Sequence, residues 1–336
     1  MGYLIGGRLL TGEVTLRAVV PPRMRGGLVM NGPGTLQVDL SLPLVDPYTG
    51  VTIDLPNELV PGRDFIGWVE GDTIIEAGPI QSDPFSWPYT STIRARGLWQ
   101  YFTRRFILPV LTSGKLPRDV TSTWSGLSLG TIAKRIVQQA CSWPSAALPI
   151  VYEPDLAGIH ERTYPGSDMT SVANALTNLT EVEGGPEITF RPRWGADRKH
   201  IVWDLLTGSP ELAQAGADHY WDTAVIGAHA KPISLERDAA DLTTHDYEFG
   251  DTPSGGAQLQ ARASSSALTS AGFPMMESLT RRNSVLLVQT LQSYAVESSA
   301  RGADHLQAFT IQVARDRHPD LGSYWPGDWA KVVIGK

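Results

Sequence analysis

A chain of 336 residues, 42% of them hydrophobic, has enough apolar surface to bury a core, which excludes a disordered protein and leaves room for two or three domains. Its 33 glycines and 24 prolines, set against 19% charged residues, predict many turns and few long helices. A formal charge of −7 and a single cysteine, Cys141, argue against a nucleic-acid binder and exclude an internal disulfide framework and a multi-cysteine metal site.

The first ~110 residues read as strands. Residues 9–20 are extended, with Val14, Leu16, Ala18 and Val20 on one face until Pro21 and Pro22 stop the run. The stretches from Arg25 to Gly27 and from Asn31 to Gly34 carry turn chemistry, because glycine and asparagine tolerate positive φ. Residues 35–42 alternate, with Leu36, Val38 and Leu40 facing one way. A loop spans 43–57. Pro61 and Gly62 then open a strand over 63–69, Glu70-Gly71-Asp72 forms a hairpin loop, and a strand returns over 73–80. Another strand is expected at 89–96. A short helix follows within 97–110, with Leu98, Tyr101 and Phe102 on one face.

The middle differs in kind. Leu129, Ile132, Ala133, Ile136, Val137 and Ala140 repeat at helical spacing over 127–140, with Ser125 or Ser128 as the N-cap. A second helix is predicted over 167–183 from Met169, Val172, Ala173, Leu176 and Leu179, closed by Gly184, Gly185 and Pro186. Strands at 187–192 and 200–205 form a hairpin around Trp194. The last third returns to strands: 223–236, broken at Pro232, then 308–314 and 325–334, with an amphipathic helix over 284–299 ending at Gly302. The expected domains are residues 1–111, an α+β insertion at 112–216, and residues 217–336. The Pro61-Gly62 strand opening has an echo at Pro326-Gly327, which suggests two β domains of one kind flanking the insertion. The second copy stops at Lys336 before any return strand, so a shortened chain or an edge covered by another chain is expected.

No catalytic constellation emerges. The seven histidines, His160, His200, His219, His229, His245, His305 and His318, form no H-E-x-x-H pair, and His219 with His229 lacks a third ligand. Gly126 to Gly130 spells G-x-S-x-G, but the serine opens a helix with no strand expected directly before it, so capping accounts for it. Neither a P-loop nor a dinucleotide-binding glycine pattern is present. Cys141 lies in a helical pattern beside alanine and reads as a buried spectator thiol. Glu181 with Glu183, and Asp316 with Asp320, are acids at a helix end and in a loop. No cofactor, metal ligand or catalytic residue is assigned, and the chain is expected not to be an enzyme. The opening residues lack a basic segment followed by an apolar one, and no run reaches the ~18–20 apolar residues of a membrane span. Synthesis in the cytoplasm and no stable membrane insertion are expected.

Several short stretches occur in a telling order. These are Leu9–Val14, the turn at Asn31, the strand and hairpin ending at Ile80, Ala95–Arg105, Ala271–Glu277, Ser284-Val285 and Tyr324–Trp329. In that order they resemble the minor tail proteins of siphophages that infect actinobacteria, in particular the hub-type, Gp37-like group. The resemblance implies a mainly β fold with two tube-type β-barrel domains flanking a small α/β domain. It also implies a homotrimer that forms a hub ring in the virion tail tip, continuing or closing the tail tube next to the distal tail protein, the tape measure protein and other minor tail proteins. DNA passes through such a lumen without specific binding. Two rival functions remain at this point. A receptor- or carbohydrate-binding minor tail protein would gather Trp87, Trp194 or Trp221 on one exposed patch. A cell-wall hydrolase would need a nucleophile or metal motif.

Overall fold

A computed structural model describes residues 2–46, 49–86, 90–212, 219–223, 230–253, 256–282, 285, 287–304, 306–313 and 319–333. The described residues are mainly β, with 40% strand and 19% helix. It divides into two compact units. The first comprises Met1–Thr177, Pro186–Ala217 and Pro319–Trp329, and the second Asn178–Gly185, Asp218–His318 and Ala330–Lys336.

Unit one opens with β1 (Tyr3–Arg8), β2 (Val14–Val19), β3 (Arg23–Gly27) and β4 (Thr35–Ser41). After the helical turn α1 (Leu55–Glu58) come β5 (Asp64–Glu70), β6 (Thr73–Ser82), β7 (Phe85–Ser86), β8 (Thr90–Arg96) and the turn α2 (Trp99–Phe102). The strands make one antiparallel sheet in the order β2-β1-β5-β6-β8-β4-β3, with β7 on β8. Alternation drives it: Leu36, Val38 and Leu40 of β4 join Leu4, Ile66, Ile80 and Ile93 in one core. Each such side chain contributes about 1.5–3 kcal/mol on burial. The hairpin at Glu70-Gly71-Asp72 is as expected, with Gly71 at φ +56°.

Among the described residues none of the sheets closes into a barrel. In unit one the two edge strands, β2 and β3, are consecutive in the chain, and only Val20, Pro21 and Pro22 lie between them. Four Cα steps hold the edges within about 14 Å of each other. Two prolines fixed near φ −65° cannot make the reversal a hairpin requires, so the seam has no hydrogen bonds. The expected phase of this segment also changes. Ala18 takes φ +54°, which turns Val19 inward (5% exposed) and Val20 outward (55% exposed).

The insertion follows in unit one with β9 (Thr121–Leu127), α3 (Leu129–Cys141), β10 (Ile150–Tyr152), β11 (Ala157–Pro165), α4 (Val172–Thr180, which enters unit two at Asn178), β12 (Ile188–Trp194) and β13 (Ile201–Thr207). β9 and β11 form an antiparallel ribbon, while β13 lies between parallel β10 and antiparallel β12. α3 buries Ile132, Ala133, Ile136, Val137 and Ala140, the periodic positions of the sequence. Ser128 is its cap: the hydroxyl accepts the Thr131 backbone N–H at 3.1 Å. Replacing Ser128 with Ala should cost about 1 kcal/mol, measured as a lower urea midpoint with an unchanged slope. α4 starts five residues later than predicted, because Met169 takes φ +49° and is exposed, which breaks the helical run.

The insertion shares its core with the large sheet. Trp203 of β13 is fully buried, donates its indole N–H to the Ala77 carbonyl at 3.0 Å, and meets Phe65 edge-on at 5.8 Å. Phe190 of β12 stacks on Phe102 at 5.2 Å.

Unit two contains β14 (His219–Asp222), β15 (Ala230–Asp238), β16 (His245–Phe249), β17 (Gln260–Ser264), α5 (Ser266–Ser270), β18 (Glu277–Arg281), α6 (Val288–Arg301), β19 (Leu306–Val313) and β20 (Ala330–Val333). Instead of the second barrel, the described strands form three small sheets: β14-β20, β15-β19 and β17-β16-β18. The strand after Pro326-Gly327 is four residues long and pairs in parallel with β14. Pro232 sits at a register shift in β15, where its missing N–H is tolerated. α6 buries Leu291, Tyr294 and Ala295. It begins at Val288 because Leu287 is extended; the predicted start, Ser284, lies outside the described residues.

Candidate functional site

The sequence marked residues 316–324 as loop and Pro326-Gly327 as a strand opening. The described part, 319–329, is irregular, and in unit one Leu321, Gly322, Tyr324, Trp325 and Pro326 line a concavity. The turn is closed by the Asp328 N–H bonding to the Trp325 carbonyl at 3.0 Å, and by the Asp328 carboxylate accepting the Trp325 N–H at 2.7 Å. The Arg191 guanidinium lies 4.6 Å from the Trp325 ring centre. Between this segment and the sheet is a cavity of about 330 Å³, lined by Trp68, Ile75, Glu76, Leu321, Tyr324 and Trp325 among others.

Trp68 and Glu76 are direct partners across β5 and β6, so their side chains share a face. A bulge follows at Val69. The Trp68 indole donates to the Glu70 carboxylate at 2.7 Å. Glycine is required beside this face. A Cβ at Gly26 would lie 3.2 Å from the Trp68 ring, and one at Gly34 only 2.0 Å from the Glu76 carboxylate. The main chain therefore approaches the acid closely.

Glu76 is 5% exposed, and its carboxylate accepts the Ala77 N–H at 2.9 Å. Burial pushes its pKa up to about 8, with the Ala77 bond pulling the other way. In the unfolded chain the acid titrates near 4.5. The folded state thus binds the extra proton between those values, and this group's contribution to stability falls as pH rises from about 4.5 through 8. The slope is on the order of 1.4 kcal/mol per pH unit. Glu76→Gln should flatten that part of a stability profile read by urea unfolding from pH 5 to 9.

Unit two holds a separate polar cluster. Asp246 and Glu248 of β16 are fully buried. Arg282 donates to Glu248 at 3.0 Å and to Glu181 at 2.8 Å, with its guanidinium 3.8 Å from the Tyr294 ring centre. The Tyr294 hydroxyl donates to the Asn178 carbonyl at 2.8 Å. Ser278 donates to Asp246, whose second carboxylate oxygen is buried without a hydrogen-bond partner. Burial raises the Glu248 pKa, with Arg282 opposing. The pattern is that of a buried ion-pair cluster centred on Arg282.

The residues weighed for chemistry do not converge. His200 bonds Asp197 at 2.6 Å on an exposed loop, His219 stacks beside Trp221, and His245 bonds Thr244. His160 is half-buried, which lowers its pKa. His229, His305, His318, Asp316, Trp87 and Lys336 lie outside the described residues. No group of three or more potential metal ligands occurs among the described residues. A strand, β9, does run directly into Ser128, contrary to expectation. However, the serine has φ −69°, not the strained turn of a nucleophile elbow, and its oxygen is engaged as the helix cap. Cys141 is half-buried, and burial raises its thiol pKa. Trp221 is buried at 6% exposure and offers no ring face to a sugar.

No protein-family model matches the chain, and no curated protein matches it. Solved structures do. The crystal structure of the prophage MuSo2 43 kDa tail protein from Shewanella oneidensis covers 99% of this chain and 89% of its own, with 11% identity and a TM-score of 0.59. The chain shares the fold of a phage tail protein. Two further structures have a TM-score of 0.49: prophage tail protein gp18 from Listeria monocytogenes, at 8% identity over 98% of this chain and 84% of its own, and a tail protein from Neisseria meningitidis MC58, at 14% identity over 99% and 82%.

Proposed function

We propose that this chain is a non-catalytic structural component of a phage tail tip, a hub ring that continues or closes the tail tube. Its neighbours in this role are further copies of itself, as a homotrimer, together with the distal tail protein, the tape measure protein and other minor tail proteins. The observation that carries the proposal is the unpaired seam of unit one, in a chain whose fold matches a tail protein over 99% of its length. Open edges bind strands or loops of other chains through main-chain hydrogen bonds. These edges carry Arg17, Arg23 and Arg25, while the chain as a whole carries −7. Basic edges discourage indiscriminate pairing and favour an acidic neighbour, which another copy supplies.

Gold-labelled antibody raised against the chain should mark the tail tip of intact virions in electron micrographs. Label on the capsid, or virions that never carry the chain, would overturn the proposal.

A further inference from the structure

From the cavity of unit one we infer a docking site for the basic side chain of another protein chain, in which the alkyl stem lies against Trp68, Leu321 and Trp325 and the charged head meets Glu76 at the floor. The tail-component proposal enters only as the source of that chain; the chemistry of the pocket stands without it.

Three features of the cavity favour a cation on an apolar stem. First, the volume of about 330 Å³ exceeds that of any single side chain, and the lining is largely aromatic and aliphatic. Three aromatic residues, Trp68, Tyr324 and Trp325, beside one acid make the kind of cage that attracts cations through ring quadrupoles. Second, the acid is built in. Gly34 and Gly97 hold main chain against its oxygens, the Ala77 N–H is its hydrogen-bond donor, and no described cation forms an ion pair with it. Third, a buried acid without a counter-charge keeps its proton near neutral pH, and an entering ammonium or guanidinium offsets the cost of ionising it.

The charged and titratable groups around the site are few. Tyr324 lines the cavity, Glu70 on β5 is engaged by the Trp68 indole, and Arg96 on β8 is exposed. Arg191 on β12 lies against Trp325 and, together with Gly34, Glu76 and Gly97, lines a smaller adjoining void of about 20 Å³. None of them neutralises Glu76.

The test uses the whole protein with nitrogen-15 in its indoles and carbon-13 in its glutamate carboxyls. N-acetyl-lysine methylamide is the probe, and its norleucine counterpart is the uncharged control. The lysine probe should shift the Trp68 and Trp325 indole resonances saturably. Its dissociation constant should fall at least tenfold between pH 6 and pH 9, with a ceiling of roughly 100-fold set by ionising one group two pH units above the starting point. The Glu76 carboxyl should titrate at lower pH when the probe is present. The norleucine control should bind at least tenfold more weakly at pH 9, and Glu76→Gln should bind lysine with no pH dependence. Equal binding of norleucine, lysine binding that ignores pH in the unmodified protein, or no indole shift would each overturn the inference. None of these results depends on where antibody marks the virion.

Discussion

Replacing Trp203 with Ala should remove about 3–5 kcal/mol from the stability of unit one, the range for truncating a fully buried Trp or Phe. The side chain links the insertion to the large sheet. It fills the space beside Phe65, and its indole N–H satisfies the Ala77 carbonyl. Domains of this size carry only about 5–15 kcal/mol in total, so the loss is a large fraction of what holds the unit together. Trp203→Phe separates the two contributions. It keeps an aromatic ring on Phe65 but leaves the Ala77 carbonyl without its donor, which should cost about 1–3 kcal/mol. Urea unfolding followed by near-ultraviolet circular dichroism gives both numbers. A loss under about 1 kcal/mol for the alanine variant would mean that the insertion and the sheet do not share a core.

Arg282→Met should destabilise unit two by a similar amount, about 3–5 kcal/mol, because it strands Glu248 in the interior without its counter-charge. The cost lies in the acid left behind, so Arg282→Met combined with Glu248→Leu should recover most of it. The sign of the pH response follows from the same argument. Burial already holds the Glu248 proton more tightly than usual, and removing the guanidinium strengthens that hold. The single variant should therefore regain stability as pH falls, while the double variant should not. Equal losses for the single and double variants would show that the contact of the Arg282 guanidinium with the Tyr294 ring, and not its pairing with Glu248, is what matters.

What was legible in the sequence was whatever followed one period for a full element. The alternation of Leu36, Val38 and Leu40 gave β4, the apolar repeat from Leu129 to Ala140 gave α3, and Gly71 marked the tightest hairpin. Errors arose where a single backbone angle reset the phase, as at Ala18 and Met169. The ribbon of β9 and β11 went unread because its residues are mostly exposed and show no apolar stripe. β3 was taken for a turn on account of Gly26 and Gly27. There the glycines serve another end: they let the strand lie against the Trp68 ring.

The cavity was invisible to local pattern for a different reason. Its walls come from Trp68 and Glu76 on one hairpin and from Tyr324 and Trp325 some 250 residues later. Nothing near Glu76 in the chain reveals that main chain at Gly34 and Gly97 packs against its carboxylate. The Pro-Gly echo was real as local chemistry, because Gly62 and Gly327 both take positive φ. The contexts differ: one turn opens a central strand of a large sheet, and the other precedes a four-residue strand.

The oligomeric state of the purified protein puts the central claim to its most direct test, since the proposed ring would cover with other chains the edges left open within one chain. Native mass spectrometry should find a species at three times the 36.5 kDa chain mass. A monomer that persists as concentration is raised, with the outward-facing amides of β2 and β3, those not bonded to β1 or β4, protected from hydrogen exchange in that monomer, would contradict the account.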